Sequence, residues 1–324
     1  MGASDSKSVL GAKSTAKSVV DLFGGQEAQE GKIAIVTGGN SGIGTESVKQ
    51  LVYAGCQVIV GSRSVENGNT AMKEAGIDPS KVTVVQLELD DLASVGRFAE
   101  ECNKLERIDF LLANAGIMAL PKLEYTKHGF ERQVGVNHHG HLQLIRLLLD
   151  KMKAQDFPSR IVAVSSMAHA WGNVQLEDLH FKNGRKYGML KAYGQSKAAN
   201  ILMIRELADQ LGVDTKITCL SLHPGVIKTN LGRHVEPLVP SFIKPLLASL
   251  AYDKTIPQGA ATSLTALLDP SLTSHSGSYL HDCKLKATNK HAADASGTLR
   301  KELWKVTIAD LDAALAAAPP SNST

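Results

Sequence analysis

An α/β domain on one doubly wound parallel sheet is predicted by three observations. Short β-branched runs recur along the chain, helical patterns fill the gaps between them, and a glycine-rich turn follows the first run directly. The runs are continuous rather than alternating, as strands covered on both faces require. They fall at residues 33–36, 57–61, 82–87, 108–113, 160–165 and 217–222, with a shorter one at 278–281. A sheet of about seven strands follows, and right-handed crossovers put helices on both of its faces. Helical patterns occupy 44–54, 94–105, 139–153 and 192–211, and Gly212 is the expected stop of the last.

Composition narrows the class without indicating chemistry. The chain has 324 residues, 43% of them hydrophobic, enough to fill a core and to exclude a disordered chain. Lys and Arg total 35 against 32 for Asp and Glu, a net charge of +3 that argues against nucleic-acid binding. No stretch is long and apolar enough for a membrane span. Cys56, Cys102, Cys219 and Cys283 are scattered and form no disulfide or zinc framework, which suits a reducing, cytoplasmic location.

Three segments are expected. Residues 1–31, rich in Ser, Ala, Gly and Lys, read as a flexible leader outside the core; 32–312 form a single domain; 313–324 form a disordered tail. The stretch Met1-Gly2-Ala3-Ser4-Asp5-Ser6 fits an N-myristoylation pattern. Behind it, Val9, Ala12, Ala16, Val19, Val20 and Phe23 lie at helical spacing, with Lys13 and Lys17 off that stripe. A lipid plus a basic amphipathic helix would give peripheral membrane association.

The elements carry candidate site residues in order. After the first strand, Thr37-Gly38-Gly39-Asn40-Ser41-Gly42-Ile43-Gly44 opens a helix whose N-terminus suits a pyrophosphate. The second strand ends in Ser62-Arg63 with no acidic residue, and a planar guanidinium there suits the 2′-phosphate of NADP(H). The fifth strand ends in Ser165 and Ser166, at the edge where ligands of such sheets bind. Tyr193 and Lys197 stand four apart on one helix face, and an ammonium there would lower the phenol pKa for acid–base work; Tyr187 and Lys191 share the spacing. His138, His139 and His141 are too few and too divergent for a metal site, so none is expected.

These motifs, in this order, resemble the short-chain dehydrogenase/reductase family over roughly residues 31 to 305. The fingerprint TGxxxGxG matches from Thr37 to Gly44, and Tyr193-Gly-Gln-Ser-Lys197 runs on into Ala198-Ala199-Asn200 as the family's does, which favours Tyr193 over Tyr187. The wording resembles the retinol dehydrogenase-like and WW-domain-oxidoreductase-like branch at Asn40-Ser41, at Ser62-Arg63, in the long Ser166-to-Tyr193 spacing and at Tyr279-Leu-His-Asp-Cys283.

The resemblance implies a Rossmann-type fold and further roles. Asn137, Ser166, Tyr193 and Lys197 would be catalytic, Asn137 by supporting a water beside the lysine and Ser166 by holding the substrate oxygen. Glu88 and Leu89 would lie by the adenine, with Glu88 where the family usually has Asp. Asn114-Ala115-Gly116 would pass near the cofactor, and Pro224, Gly225, Val226 and Thr229 would touch the nicotinamide side. Residues 235–250 would form a substrate lid whose Leu238, Val239, Phe242, Ile243, Leu246 and Leu247 line a pocket for a lipophilic carbonyl or alcohol. The implied activity is NADP(H)-linked hydride transfer, as a reductase in the cell, by a monomer or homodimer. The competing reading is a nucleotide-binding regulator or scaffold of the same fold with little turnover.

Overall fold

A computed structural model describes residues 10–227 and 254–317 of the chain. Each apolar run becomes a strand: β1 (Ile33–Thr37), β2 (Gln57–Ser62), β3 (Val82–Gln86), β4 (Phe110–Ala113), β5 (Ser159–Val164), β6 (Ile217–His223) and β7 (Tyr279–His281). They form one parallel sheet in the order β3-β2-β1-β4-β5-β6-β7. An eighth strand, β8 (Lys284–Leu285), corrects the expected count of about seven and pairs antiparallel with β7. Between them Asp282 and Cys283 take φ of 54° and 58°, the left-handed pair that a two-residue hairpin turn needs.

The helices are α1 (Ala16–Leu22), α2 (Gly42–Tyr53), α3 (Val65–Glu74), α4 (Leu92–Asn103), the single turn α5 (Arg132–Val134), α6 (Gly140–Ala154), α7 (Met189–Leu211), α8 (Ile256–Leu268), α9 (Lys290–Ala293) and α10 (Thr298–Ala317). Alternate strand residues face opposite layers. Ala34, Val36, Val58, Val60, Leu112, Val162 and Leu220 pack with α1, α2 and α8, whereas Ile35, Ile59, Leu111, Ile161 and Cys219 pack with α4, α6, α7 and α10. Both sets are buried, which is why the strands read as unbroken apolar runs. The buried Arg160 of β5 donates to the carbonyls of Ala266 (2.8 Å) and Asp269 (2.6 Å), so a cation meets the negative end of α8.

The leader differs from its expected form. Thr15 caps α1 through a reciprocal capping box with Ser18, and Ala16, Val19 and Val20 are buried in the main core against α2 and α8. The part of the apolar stripe in α1 is therefore a docking face for the domain, while Ala12 ahead of it is exposed. At the other end α10 continues to Ala317, so part of the expected tail is helical, and Trp304 packs half-buried on the core. Gly2, Thr229, the segment 235–250 and residues 318–324 lie outside the described residues. Among the described helices none is long and apolar enough to cross a membrane.

Because Val20 is only 1% exposed, Val20→Ala is expected to lower unfolding stability by about 1–3 kcal/mol, read as a lower denaturant midpoint. An unchanged midpoint would mean that α1 does not belong to the cooperative unit.

Candidate active site

In the sheet order, β1 lies between β2 and β4, and the chain reverses its direction of winding there. That switch point opens a crevice at the carboxyl ends of the strands. The glycine loop starts at this edge. Gly38 takes φ 65°, and a side chain on it would press on Ala115 at 3.0 Å. Gly44 lies against the Gly38 carbonyl and the Asn114 amide, leaving no room for a Cβ. Ser41 is the N-cap of α2 but makes no side-chain capping bond, and Asn40, Gly42 and Ile43 complete the turn. A twelve-residue helix thus presents its uncapped N-terminus, with its positive dipole end, to the crevice.

Neighbouring strand ends continue this edge. Arg63 is exposed just beyond β2. Ser62 is buried, and its hydroxyl donates to the Ser64 carbonyl at 2.8 Å, so it shapes the turn rather than reaching outward. Past β3, Glu88 accepts from the Gln86 amide (3.2 Å) and the buried Leu89 packs its carbonyl on Gly140. Past β4, the Asn114 amide donates to the carbonyls of Thr37 (2.9 Å) and Gly38 (3.3 Å), which joins the two central strand ends. Past β6, Pro224 and Gly225 are buried and Val226 half-buried. Gly225, with φ 99°, packs against the stem of Lys254, whose ammonium pairs with Asp282.

The proton-handling groups meet where β5 ends and α7 begins. The Ser166 hydroxyl accepts the Ala168 N–H at 3.2 Å and lies beside the Tyr193 side chain. Burial pushes the Tyr193 phenol up to about 12, against the pull of Ser166. The expected lowering by lysine is absent in this arrangement. Lys197 Nζ stands 5.8 Å from the centre of the Tyr193 ring and donates instead to the Val164 carbonyl at 3.0 Å. Its own pKa is pushed down to about 8 by burial. Ser165 faces the other way and donates to the Lys197 carbonyl at 2.7 Å, which leaves Ser166 as the serine beside the tyrosine. Tyr187 donates to the Leu120 carbonyl (2.8 Å) and accepts from Gln133 (2.9 Å), a structural tie ahead of α7.

Asn137 lies in a π-helical turn, Gly135–His139, between α5 and α6. Such turns carry an extra residue and redirect side chains. Its amide nitrogen donates to the Ile117 carbonyl (2.9 Å) and to Ser196 Oγ (2.9 Å), and its Oδ1 accepts from the Ile117 N–H (2.9 Å). Both amide hydrogens are used inside the protein, so the side chain fixes the loop after β4 against the start of α7. A Cβ on Gly116 would lie 3.2 Å from Asn137 Oδ1 and 3.4 Å from Lys197 Nζ, so these three residues converge at one point.

Sequence reasoning missed two supports. His169 donates from Nδ1 to the Ser166 carbonyl at 2.6 Å, and Thr37 accepts the N–H groups of Asn114 and Ala115, each at 3.0 Å. Thr37 ends its strand at the loop, a position that could have flagged it; His169 carries no such signal.

The histidines of the π turn do other work. His138 bonds Thr307 (3.1 Å) and His139 bonds Asp310 (3.1 Å), both on α10. His180 also reaches Asp310 (2.9 Å), so His139, His180 and Asp310 have a metal-like disposition. The tautomer argues against coordination. His180 Nδ1 accepts the Glu131 N–H at 3.1 Å, so its Nε2 carries the proton and donates to Asp310.

A doubly wound sheet with a phosphate-ready loop at its switch point and a Ser–Tyr–Lys set beside it defines a pyridine-nucleotide dehydrogenase. The family model described as short chain dehydrogenase matches residues 32–178. Retinol dehydrogenase 14 of Homo sapiens is 38% identical over 294 residues, covering 85% of both chains. Retinol dehydrogenase 12 of Homo sapiens is 38% identical over 281 residues, again covering 85% of both. An uncharacterised protein of Mycobacterium paratuberculosis shares the fold at a TM-score of 0.69 and 31% identity, over 87% of this chain and 94% of its own. The chain belongs to the short-chain dehydrogenase family and is retinol dehydrogenase-like. It is an oxidoreductase that interconverts an alcohol and a carbonyl with a nicotinamide cofactor.

A buried ammonium trades stability for chemistry. Since the Lys197 pKa is depressed from 10.5 to about 8, its unfavourable burial is felt at neutral pH and relieved as pH rises from about 8 toward 10.5. Lys197→Met is therefore expected to abolish turnover yet raise the unfolding midpoint at pH 7, by on the order of 1–3 kcal/mol. That advantage should shrink at pH 10. Thermal melts across this range check both statements.

Proposed function

We propose that the chain is an NADP(H)-dependent oxidoreductase for lipophilic aldehydes, ketones or alcohols of retinoid, steroid or long aliphatic type, acting in the cell as a reductase. The observation that carries the chemistry is the convergence of Ser166, Tyr193 and Lys197 where β5 ends and α7 begins, with Lys197 one helical turn beyond Tyr193 and its Nζ 5.8 Å from the tyrosine ring. The observation that carries the cofactor choice is Arg63, exposed beyond β2 where an NAD-binding sheet would have a carboxylate.

The glycine loop from Gly38 to Gly44, Arg63, the Asn114–Gly116 turn and the segment after β6 would hold the cofactor. When bound, the nicotinamide supplies the hydride for carbonyl reduction or takes one in alcohol oxidation. The protein's part is proton management. Ser166 donates a hydrogen bond to the carbonyl oxygen and holds it beside Tyr193. Tyr193, protonated throughout the physiological range, gives its proton to that oxygen as negative charge develops on it. Lys197 would stabilise the resulting tyrosinate on turning its ammonium from the Val164 carbonyl toward the phenolate. Asn137 keeps the loop after β4 in register with the start of α7.

Support for a lipophilic substrate comes from two sides. The relatives at 38% identity are named retinol dehydrogenases. Beside the candidate serine and tyrosine, Met167, Trp171 and Leu190 are exposed apolar side chains. In a panel of aldehydes of increasing length, kcat/KM is expected to climb by roughly threefold per added methylene until the pocket is filled. A flat profile would remove the lipophilic assignment.

Tyr193→Phe and Ser166→Ala are expected to lower kcat by about 100-fold or more, with Ser165→Ala far milder. Full turnover by Tyr193→Phe would overturn the assignment of Tyr193 as the proton donor, whereas no turnover by the unsubstituted protein across the panel would leave the scaffold reading in place. Arg63→Asp should shift the preference between NADPH and NADH by roughly tenfold or more toward NADH, measured as the ratio of kcat/KM for the two.

A further inference from the structure

One buried histidine of the π-turn region faces the site and not α10. His141 Nε2 lies 2.8 Å from Thr37 Oγ1, and its Nδ1 lies 2.9 Å from the Asn137 carbonyl oxygen. Thr37, Asn137 and His141 are all essentially inaccessible to solvent. The roles of the atoms follow from what each neighbour can do. A carbonyl only accepts, so Nδ1 carries the proton and donates to Asn137. Nε2 is then bare and accepts. The Thr37 hydroxyl has one proton and gives it to Nε2, leaving its lone pairs for the N–H groups of Asn114 and Ala115, both at 3.0 Å.

The result is a chain of defined direction from the turn after β4, through the last residue of β1, to the residue that braces α7. Burial pushes the His141 pKa down to about 4 and the charge of Lys197 acts in the same sense, so the imidazole stays neutral and keeps both roles. The two companion histidines fasten α10 through Thr307 and Asp310, so none of them can replace His141 in this position.

We propose that His141 is a positioning residue: it locks the rotor of the Thr37 hydroxyl, which holds the glycine loop to the Asn114–Gly116 turn, and it fixes the Asn137 carbonyl from the other side. The inference rests on the reading of the glycine loop as the nicotinamide-cofactor site. In His141→Leu the Thr37 hydroxyl proton has no acceptor, and the two cofactor-facing loops lose their common reference. In His141→Gln the amide oxygen reaches the place of Nε2 and restores that acceptor.

The test is calorimetric binding of NADPH and of NADH to the full chain, with thermal midpoints recorded for every variant. For whichever cofactor the unsubstituted protein binds more tightly, His141→Leu is expected to weaken binding roughly tenfold or more. His141→Gln should stay within roughly threefold of the unsubstituted protein, even where its midpoint falls as far as that of the Leu variant. Leu binding as tightly as the unsubstituted protein, or Leu and Gln weakening binding equally, overturns the proposal. If His141→Leu does not fold, His141→Asn takes its place, because its shorter amide stands at Nδ1 and leaves Thr37 Oγ1 without an acceptor. Asn weakening binding roughly tenfold or more while Gln stays within roughly threefold supports the relay, and equal losses overturn it. An unsubstituted protein that binds neither cofactor removes the reading of the loop itself, and that failure is visible before any variant is made.

Discussion

Covering both faces of one parallel sheet leaves the chain a single place for polar chemistry, the edge where the strands end. Alternate residues of β1, β2, β4, β5 and β6 are buried in opposite layers, so no polar side chain can be presented from the middle of a strand without losing water on both sides. Every candidate group accordingly lies at or just beyond a carboxyl end: the glycine loop after β1, Arg63 after β2, Asn114 after β4, Ser166 after β5 and Pro224-Gly225 after β6. Asn137, from the π turn, and Tyr193 and Lys197, from α7, are the exceptions in origin, and α7 begins close to the end of β5 and delivers its pair to the same edge.

At that edge the protein tolerates buried polar groups because most are paired. Asn137 is held by Ile117 and Ser196, Ser165 by Lys197, Ser166 by His169, and Thr37 by three neighbours. Lys197 is the costly member, an ammonium with a carbonyl for company and, among the described residues, no carboxylate paired with it. The π turn serves the same arrangement: one extra residue in the helix lets Asn137 face the loop after β4 while its neighbours His138 and His139 reach back to α10.

Much of this was legible in the chain itself. Strand runs, the Gly212 stop, the glycine loop and the Tyr193–Lys197 spacing are local patterns, and local patterns survive folding. Serine presented a different problem. Nothing in Val164-Ser165-Ser166 separates two adjacent hydroxyls, and only the alternation of the strand end turns Ser165 inward. Strand β8 was missed because two exposed residues carry no periodicity and its turn uses Asp-Cys in place of the usual glycine. The leader misled for a related reason. A polar, small-residue composition suggested a loose segment, while three apolar positions in α1 were enough to dock it. Burial raises the tyrosine pKa, and the spacing gives Lys197 proximity along the helix but not direction, so its ammonium meets the Val164 carbonyl.

The docking of α1 has a consequence for how the protein comes to be folded. Its principal partner outside α2 is α8, and the hydrogen bond from Gln258 to the Lys13 carbonyl spans 245 residues of sequence. During synthesis the first helix emerges long before the surface that covers it. Until α8 follows, Val19 and Val20 have only part of their burial, and the nascent chain carries an apolar face through most of its translation. Contacts of such long sequence separation form late and slowly. Closure of this junction is therefore a natural final step in folding, and the stage at which chaperone protection of the amino-terminal segment would count most.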